Sequence, residues 1–357
     1  MIEEILSLLL EKERFLITTH VRPDGDAIGS QLALGQFLRK LGKHVAMINS
    51  DPPPDNLGWL PGVDDIQVFD GSLAQHEHIG GADVILVVDT NVLDRVGKKM
   101  IGPVKNSGAL KVLIDHHTEP ETWFDKMLVR DTASSTGELI YELIAAHNLQ
   151  WIDEIIATAL YVAILTDTGS FRYSCVTPAV HRIVADLMER GPVRPEAVYA
   201  ALYENRTPHW VRLLSQVLDT LTLRYDGQLC YVVVSRRMLE ETEATTEDTE
   251  GFVSYGLAIE GVRVALIFTE TQRGTKVSFR SKGDTVVHEW ARAFGGGGHR
   301  NASGAFIKRP LDVVIDEVVK SAPPYLGFQG GDPEDNGTLS SEDAAYLSTL
   351  LDIKARK

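Results

Sequence analysis

The stretch of sequence that decides the fold is residues 15–30, which read FLITTHVRPDGDAIGS. Its apolar start is followed at once by His20 and then by a turn that carries Asp24 and Asp26. The next segment, 27–41, has apolar residues at the spacing of one helix face. This order predicts a buried strand, a polar loop and a helix, with the polar side chains at the end of the strand.

The same alternation continues through the first half of the chain. Further strand patterns lie at 45–48, 84–88 and 112–114, and further helical patterns lie at 136–146 and 152–165. Continuous Val, Ile and Leu strands that alternate with helices are typical of a parallel sheet covered on both faces. The predicted fold class is therefore α/β with a doubly wound parallel sheet, in which sites gather at the carboxyl ends of the strands. Ser135 or Thr136 is expected to cap the helix at 136–146.

The pattern changes in the second half of the chain. A helical stretch at 177–218 is followed by strand patterns at 221–225, 229–234, 262–269 and 276–280. We therefore expect a catalytic domain at 1–190, a helical linker at 191–218, a smaller α/β domain at 219–325, and a flexible tail with a short helix at 326–357. The catalytic cleft is expected between the two domains.

Composition restricts the class of ligand. The chain has 357 residues and a net charge of -15, which argues against electrostatic wrapping of a long nucleic-acid duplex. Residues 261–309 carry nine Lys or Arg against three acidic residues, which suits a small anionic ligand, although chance segregation explains the pattern equally well. The apolar runs are far shorter than the roughly 20 residues of a membrane span. Cys175 and Cys230 lack a metal-ligand pattern, so we expect a cytoplasmic protein without membrane contact.

Carboxylates and imidazoles stand where the apolar segments end. The set comprises His20, Asp24, Asp26, Asp89, Asp115, His116, His117 and Asp167. A single aspartate at such a position is more often a helix cap or a turn residue. Several carboxylates brought together, however, would repel one another unless cations compensate them. Oxygen and imidazole ligands without thiolate suit Mn²⁺, Mg²⁺ or Zn²⁺, and the mixed set favours Mn²⁺ over Mg²⁺. Two ions about 3.5–4 Å apart would activate a water for attack at phosphorus.

The spacing of these residues resembles the DHH phosphoesterase superfamily. The matching motifs are His20-x₃-Asp24-x-Asp26, Asp89, Asp115-His116-His117 and Asp167-Thr168-Gly169. Further along, residues 295–304, GGGGHRNASG, resemble the signature of the DHHA1 domain. Over residues 1–320 the arrangement is most similar to the NrnA family of bifunctional oligoribonucleases and 3′-phosphoadenosine 5′-phosphate phosphatases.

The resemblance implies a role for each member of the set. It assigns one metal ion to His20 and Asp24, and the other to Asp26, His116 and Asp167. Asp89 would bridge the two ions, and Asp115 would support a neighbouring side chain without touching a metal. His117 would lie near the scissile phosphate as a hydrogen-bond donor or general acid. The implied cofactor is a pair of divalent cations, Mn²⁺ by preference, with Mg²⁺ or Co²⁺ as alternatives.

The same resemblance implies that the second domain binds the nucleotide. The residues concerned are Arg280, Ser281, Gly297, Gly298, His299, Arg300 and Asn301. Glycines let the backbone approach an anion closely, and arginines supply charged donors for phosphate. In the first domain, Arg172 follows the Asp167 motif and is a further candidate for substrate contact, with a surface ion pair as an equally good explanation.

The function implied by the resemblance is hydrolysis of phosphoester bonds in small substrates. Its partners would be short single-stranded RNA, released as 5′-mononucleotides, and nucleotide bisphosphates such as 3′-phosphoadenosine 5′-phosphate, converted to AMP. Hydrolysis of cyclic dinucleotides or of linear pApA and pGpG is the alternative within the superfamily. Inorganic pyrophosphatase activity does not need a nucleotide-binding signature, and RecJ-type exonucleases are usually much longer chains. A nucleotide- or RNA-binding scaffold is the non-enzymatic alternative, disfavoured because no metal ligand of the motifs is missing. The sequence leaves the oligomeric state open, with a homodimer as one candidate.

Overall fold

The computed structural model describes residues 1–327, except for the side chain of His299. The described residues form two compact units, of which the first is Met1–Asn205 and the second begins at Arg206. The expected tail at 326–357 lies outside the described residues from residue 328 onward. None of the helices within residues 1–327 combines the length and the apolar character that a bilayer span requires.

The first unit is built on a sheet of six parallel strands. The strands are β1 (Arg14–Thr18), β2 (His44–Asn49), β3 (Ile66–Val68), β4 (Val84–Val88), β5 (Leu110–Asp115) and β6 (Lys126–Val129). The helices are α1 (Ile2–Glu11), α2 (Gly25–Lys40), α3 (Leu73–Gly81), α4 (Lys98–Asn106), α5 (Thr136–His147), α6 (Glu154–Asp167), α7 (Pro178–Arg190) and α8 (Pro195–Tyr203). The order across the sheet is β3-β2-β1-β4-β5-β6, with all neighbours parallel. The predicted parallel α/β sheet is confirmed.

The strand order reverses between β1 and β4. From β1 the chain proceeds outward to β2 and β3, and then returns to β4 on the other side of β1. In a doubly wound sheet, the carboxyl ends of the two strands at such a reversal border a crevice that binds ligands. His20 lies just after β1 and Asp89 lies directly after β4, so the topology alone brings these two residues to one place.

The central strand β4 shows why continuous apolar runs form this sheet. All five of its residues are buried. Leu86 packs into a core with residues of α2, α5 and α6, whereas Ile85 and Val87 pack into a separate core on the opposite face with residues of α4. Because successive side chains of a strand point to opposite faces, a strand covered on both sides must be apolar at every position.

Glycines bring three helices close together at one end of the sheet. A Cβ atom at Gly29 of α2 would lie 2.4 Å from the carbonyl oxygen of Ala159 in α6. A Cβ atom at Gly137 of α5 would lie 2.6 Å from the Cβ of Ala163, also in α6. Only a residue without a Cβ fits at either contact. The result is that the first turns of α2 and α5 approach α6 near the end that carries Asp167.

The second unit has a mixed sheet of its own. Its strands are β7 (Thr222–Arg224), β8 (Leu229–Val234), β9 (Val264–Thr271), β10 (Gly274–Ser281), β11 (Gly297–His299) and β12 (Ala302–Ile307). Its helices are α9 (Pro208–Leu218), α10 (Arg236–Thr242), α11 (Val253–Leu257), α12 (His288–Ala293), α13 (Leu311–Lys320) and α14 (Pro323–Leu326). The order is β11-β12-β10-β9-β8-β7, and only β8 and β9 are parallel among the described pairs. The fully buried Trp290 stacks on Tyr325 in its core.

The four strands expected in the second unit are present as β7 to β10, and two more follow. The additional strands are β11 and β12, where Gly, Ala and Ser hide the apolar alternation by which strands are identified in a sequence. The end of the glycine-rich segment therefore forms a strand that pairs with β12, with Gly298 opposite Ser303. Gly298 has φ 139°, a backbone conformation that side chains strongly disfavour.

Candidate metal centre

Six side chains from different elements of the first unit form two donor groups. One group contains His20, Asp24 and Asp89, and the other contains Asp26, His116 and Asp167. Within each group, one ligand atom per residue lies within 4.8 Å of the others. Asp89 also belongs to a third group of this kind, with His116 and His117. All eight residues that were predicted as metal ligands or catalytic residues lie in the first unit. Seven of them, all except Asp115, belong to these groups around Asp89.

Asp89 faces both donor groups with its two carboxylate oxygens. Its Oδ2 lies 3.5 Å from Nε2 of His20, and its Oδ1 lies 3.7 Å from Nε2 of His116. The residue has φ 58°, in the left-handed region, and its N–H donates to the carbonyl oxygen of Ile114 at 3.0 Å. A non-glycine residue in this conformation is uncommon and is held there by its surroundings. The turn at the end of β4 thus directs one carboxylate between two groups.

Asp26 is held by the start of helix α5. The N–H groups of Thr136 and Gly137 donate to its two oxygens at 2.7 and 2.9 Å. The Ser30 hydroxyl, one turn further along α2, donates to the same carboxylate at 3.0 Å. The first N–H groups of a helix have no partner within the helix and carry partial positive charge, so they suit a carboxylate. Asp26 is buried, and these hydrogen bonds fix the orientation of its carboxylate.

Thr136 connects Asp26 to Asp89. While its N–H donates to Asp26, its side-chain hydroxyl donates to Oδ1 of Asp89 at 3.1 Å. Ser135 caps α5, because its hydroxyl accepts a hydrogen bond from the N–H of Glu138. Ser135 was one of the two caps expected from the sequence. Sequence reasoning identified the start of the helix but missed the second role of Thr136. A hydroxyl side chain at the first position of the helix was visible in the sequence, but the residues to which Thr136 bonds are distant in the chain.

Hydrogen bonds to backbone carbonyl groups orient two of the histidines. Nδ1 of His20 lies 2.9 Å from the carbonyl oxygen of Val21, and Nδ1 of His116 lies 3.4 Å from that of Ala133. A carbonyl oxygen can only accept, so Nδ1 carries the proton in the neutral ring and Nε2 presents its lone pair to the donor group. His117 instead bonds through Nδ1 to Oδ1 of the buried Asp115 at 2.7 Å.

The protein itself does not supply enough positive charge to balance the carboxylates of the centre. Burial, followed by the charges of Asp26 and Asp24, raises the pKa of Asp89 well above its usual value. Burial raises the pKa of Asp26, and burial with the same neighbours raises the pKa of Asp167 to about 8. Burial on its own would lower the pKa of His116, but the charges of Asp167, Asp26 and Asp115 raise it overall. Carboxylate and imidazole donors that destabilise one another in this way fit divalent cations, whose charge would offset the repulsion.

The remaining predicted site residues lie elsewhere. Arg172 lies just after α6, where its Nε donates to the carbonyl oxygen of Gly169 at 2.7 Å. The other predicted substrate-binding residues all belong to the second unit. There, the side-chain amide of Asn301 donates to Oγ of Ser281 at 2.9 Å and to two carbonyl oxygens of the 283–285 turn. Arg280 donates to the carbonyl oxygen of Phe279, and the exposed Arg300 lies 3.4 Å from Asp284.

The architecture and the donor motifs have counterparts in known proteins. Residues 14–164 match the DHH family, N-terminal domain, and residues 226–322 match the DHHA1 domain. The bifunctional oligoribonuclease and PAP phosphatase NrnA of Thermus thermophilus is 33% identical over 315 residues, which cover 88% of this chain and 90% of that protein. The protein of the same name from Bacillus subtilis is 28% identical over 308 residues, or 85% of this chain and 92% of its own length.

A solved structure extends the similarity to the backbone of most of the chain. The exopolyphosphatase-related protein from Bacteroides fragilis is 30% identical and superposes with a TM-score of 0.86, covering 91% of this chain and 97% of its own. The sequence match therefore spans both units rather than one shared domain. This chain belongs to the DHH–DHHA1 phosphoesterase family, in the group that includes the NrnA proteins.

Proposed function

We propose that this protein is a metal-dependent phosphoesterase that acts on two kinds of small substrate. It hydrolyses short oligoribonucleotides to 5′-mononucleotides, and it hydrolyses 3′-phosphoadenosine 5′-phosphate to AMP. The observation that carries the proposal is the carboxylate of Asp89, whose two oxygens face two separate groups of metal donors. The names of the NrnA relatives, which match most of the chain, supply the substrate class.

The donor groups divide naturally between two divalent cations, with Mn²⁺ the preferred ion. His20 and Asp24 would hold one ion, while Asp26, His116 and Asp167 would hold the other. Asp89, whose two oxygens face the two groups, would be a ligand common to both. The chemistry that such ions supply when bound is activation of water at neutral pH and neutralisation of charge at phosphorus.

His117 and Asp115 form the proton-transfer pair of the proposed reaction. Asp115 is fully buried and bonds to Nδ1 of His117 at 2.7 Å, which fixes the plane of the imidazole. With Nδ1 engaged, Nε2 is the atom from which the ring protonates the leaving oxygen. A positioned imidazole in this role typically contributes a factor of about 10²–10⁴ to the rate.

Cationic residues outside the donor groups bind the substrate in this proposal. Arg280 and Arg300 of the second unit supply guanidinium groups for the nucleotide, and Gly297 and Gly298 allow its close approach to the backbone. Ser281 and Asn301 shape the same region, because their side chains bond to each other and to the 283–285 turn. Arg172, which follows Asp167 in the sequence and donates to the carbonyl oxygen of Gly169, contributes a further guanidinium from the first unit.

A substrate panel tests the proposal. Purified protein with Mn²⁺ is incubated with a diribonucleotide, 3′-phosphoadenosine 5′-phosphate, cyclic di-AMP, pGpG and pyrophosphate, and the products are separated by chromatography. We expect turnover of the first two at much higher kcat/KM than the others. Preference for a cyclic or linear dinucleotide messenger, or for pyrophosphate, would assign the chain to another activity of the family. Tight RNA binding without turnover under any divalent ion would indicate a scaffold.

Matched variants separate chemistry from folding. Asp89→Asn keeps the size of the side chain but removes the charge that faces both donor groups, so we expect the loss of nearly all turnover. Asp64→Asn removes a carboxylate from an exposed position outside the donor groups and should behave as the unmodified protein. If Asp89→Asn retained full activity with an unchanged circular-dichroism spectrum, the assignment of this carboxylate would be wrong.

A further inference from the structure

Two arginines lie beside the donor group of His20. Arg22 stands in the sequence between the donors His20 and Asp24, and Arg95 belongs to the short turn that follows β4. The N–H of Val21 donates to the carbonyl oxygen of Arg95 at 2.6 Å, so the two segments that carry these arginines run side by side.

Among the residues that the structure describes, neither guanidinium neutralises a carboxylate. Within residues 1–327, the side chains of Arg22 and Arg95 have no ion-pair partner. Many other arginines of the same unit are paired, among them Arg14, Arg39 and Arg130. In a protein with net charge -15, two cations that remain unpaired next to several carboxylates call for another counter-ion.

The backbone of Arg22 is held in an unfavourable conformation. Its φ is 54°, in the left-handed region, and its N–H donates to Oδ2 of Asp51 at 2.7 Å. Such a conformation costs a non-glycine residue about 1–3 kcal/mol and is found preferentially at ligand clamps and active sites. The side chain of Arg22 is exposed and that of Arg95 is half-buried, so both are accessible to a ligand from solution.

The charge of the centre indicates which anion these arginines suit. When ionised, the five aspartates of the centre carry about five negative charges, and two divalent cations would leave an excess of about one. That excess disfavours a phosphate monoester dianion more than the monoanionic phosphate of an internal diester. Arg22 and Arg95 reverse the sign of the local charge, and the fork of a guanidinium matches two phosphate oxygens.

We propose that Arg22 and Arg95 form a binding subsite for a terminal phosphate dianion at the His20 side of the metal centre. The subsite lets one centre act on phosphomonoesters such as 3′-phosphoadenosine 5′-phosphate as well as on the diesters of short RNA. This inference rests on the proposed function for its substrates, but the binding of phosphate itself can be measured without turnover.

The kinetic test compares two substrates in the same enzyme. For Arg22→Gln and Arg95→Gln with Mn²⁺, kcat/KM is measured for 3′-phosphoadenosine 5′-phosphate and for a diribonucleotide without a terminal phosphate. We expect the first to fall about tenfold or more for the loss of one charged hydrogen bond, and the second to change much less. Arg182→Gln is the matched control, because Arg182 is exposed on α7 and belongs to no donor group.

A binding measurement distinguishes failure of this inference from failure of the proposed function. Inorganic phosphate is titrated into each protein in Mg²⁺ at pH 8 in a calorimeter, and the two glutamine variants should bind it about tenfold more weakly than the Arg182→Gln control. If the unmodified protein hydrolysed neither substrate, this difference would still uphold the subsite. Unchanged phosphate affinity, or equal losses on both substrates, would overturn it. If a glutamine variant unfolds, Arg95→Lys replaces it in the test. Lysine keeps the positive charge but lacks the guanidinium fork, so this variant should bind phosphate more weakly than the unmodified protein, but by less than the tenfold expected for glutamine.

Discussion

Replacing Thr136 by valine removes a single hydroxyl group from the centre of the site. The hydroxyl donates to Oδ1 of Asp89 at 3.1 Å, whereas the N–H of the same residue donates to Asp26 at 2.7 Å. Valine has nearly the same shape and retains the N–H, so only the bond to Asp89 is lost. If the orientation of Asp89 matters for the reaction, the variant should fold normally and turn over slowly.

The magnitude follows from the kind of hydrogen bond. A bond to a charged group contributes roughly 1.5–3 kcal/mol, and each 1.36 kcal/mol is tenfold in rate. We therefore expect kcat/KM to fall by a factor between about 10 and about 150 in Thr136→Val. Thr136→Ser keeps the hydroxyl and should lie within a fewfold of the unmodified enzyme, because its Oγ can occupy the same position.

The assay is steady-state hydrolysis of 3′-phosphoadenosine 5′-phosphate over a range of Mn²⁺ concentrations. Poor orientation of Asp89 should also raise the Mn²⁺ concentration at half-maximal rate, which a merely structural role for Thr136 would leave unchanged. Equal activity of the valine and serine variants would refute the reasoning. So would a loss that tracks the melting temperature alone.

Three further predictions concern ions, packing and pH. Mn²⁺ at one hundred times its dissociation constant should stabilise the protein by about 2.7 kcal/mol per independent site, visible as a higher melting temperature that Asp89→Asn largely abolishes. Gly29→Ala should cost about 1–3 kcal/mol because its Cβ would meet a backbone oxygen at 2.4 Å. Gly80→Ala in α3, with no atom within 4 Å, should instead stabilise the protein by up to about 1 kcal/mol in the same denaturant titration. In chelator-treated protein, the pKa of Asp167 is raised from 3.8 to about 8. At a pH between these two pKa values the folded state keeps a proton that the unfolded chain has lost, so the free energy of unfolding should fall as the pH rises through this range. Asp167→Asn should flatten that part of the curve of melting temperature against pH, and an unchanged slope would contradict the role given to this carboxylate.

The sequence predicts the donor residues well because each of them follows a strong local pattern. Asp89 comes directly after a strand that is apolar at every position, and parallel strands with their helices place such ends at one edge. The same reasoning cannot find Thr136, whose partners Asp26 and Asp89 lie 110 and 47 positions away in the chain. A hydrogen bond of that kind leaves no periodic trace in the sequence.

Short or glycine-rich strands account for the other differences. β3 has three residues and β6 has four, too few for any alternation to be recognised. β11 contains two glycines, and it exists because β12 pairs with it rather than because its residues favour an extended conformation. In each case the pairing partner, rather than the local composition, determines the structure.

The holding of Asp26 by the start of α5 has a consequence for how the protein persists in a cell. The carboxylate of Asp26 and the N–H groups that donate to it lie far apart along the chain. A cation site of this kind therefore does not exist before the domain has folded. Free energy gained from the ion is then free energy of folding, since the unfolded chain offers it no comparable binding site. A cell short of the metal would carry a larger unfolded fraction, and proteases would remove it. The supply of the ion would thereby set the abundance of the enzyme as well as its turnover.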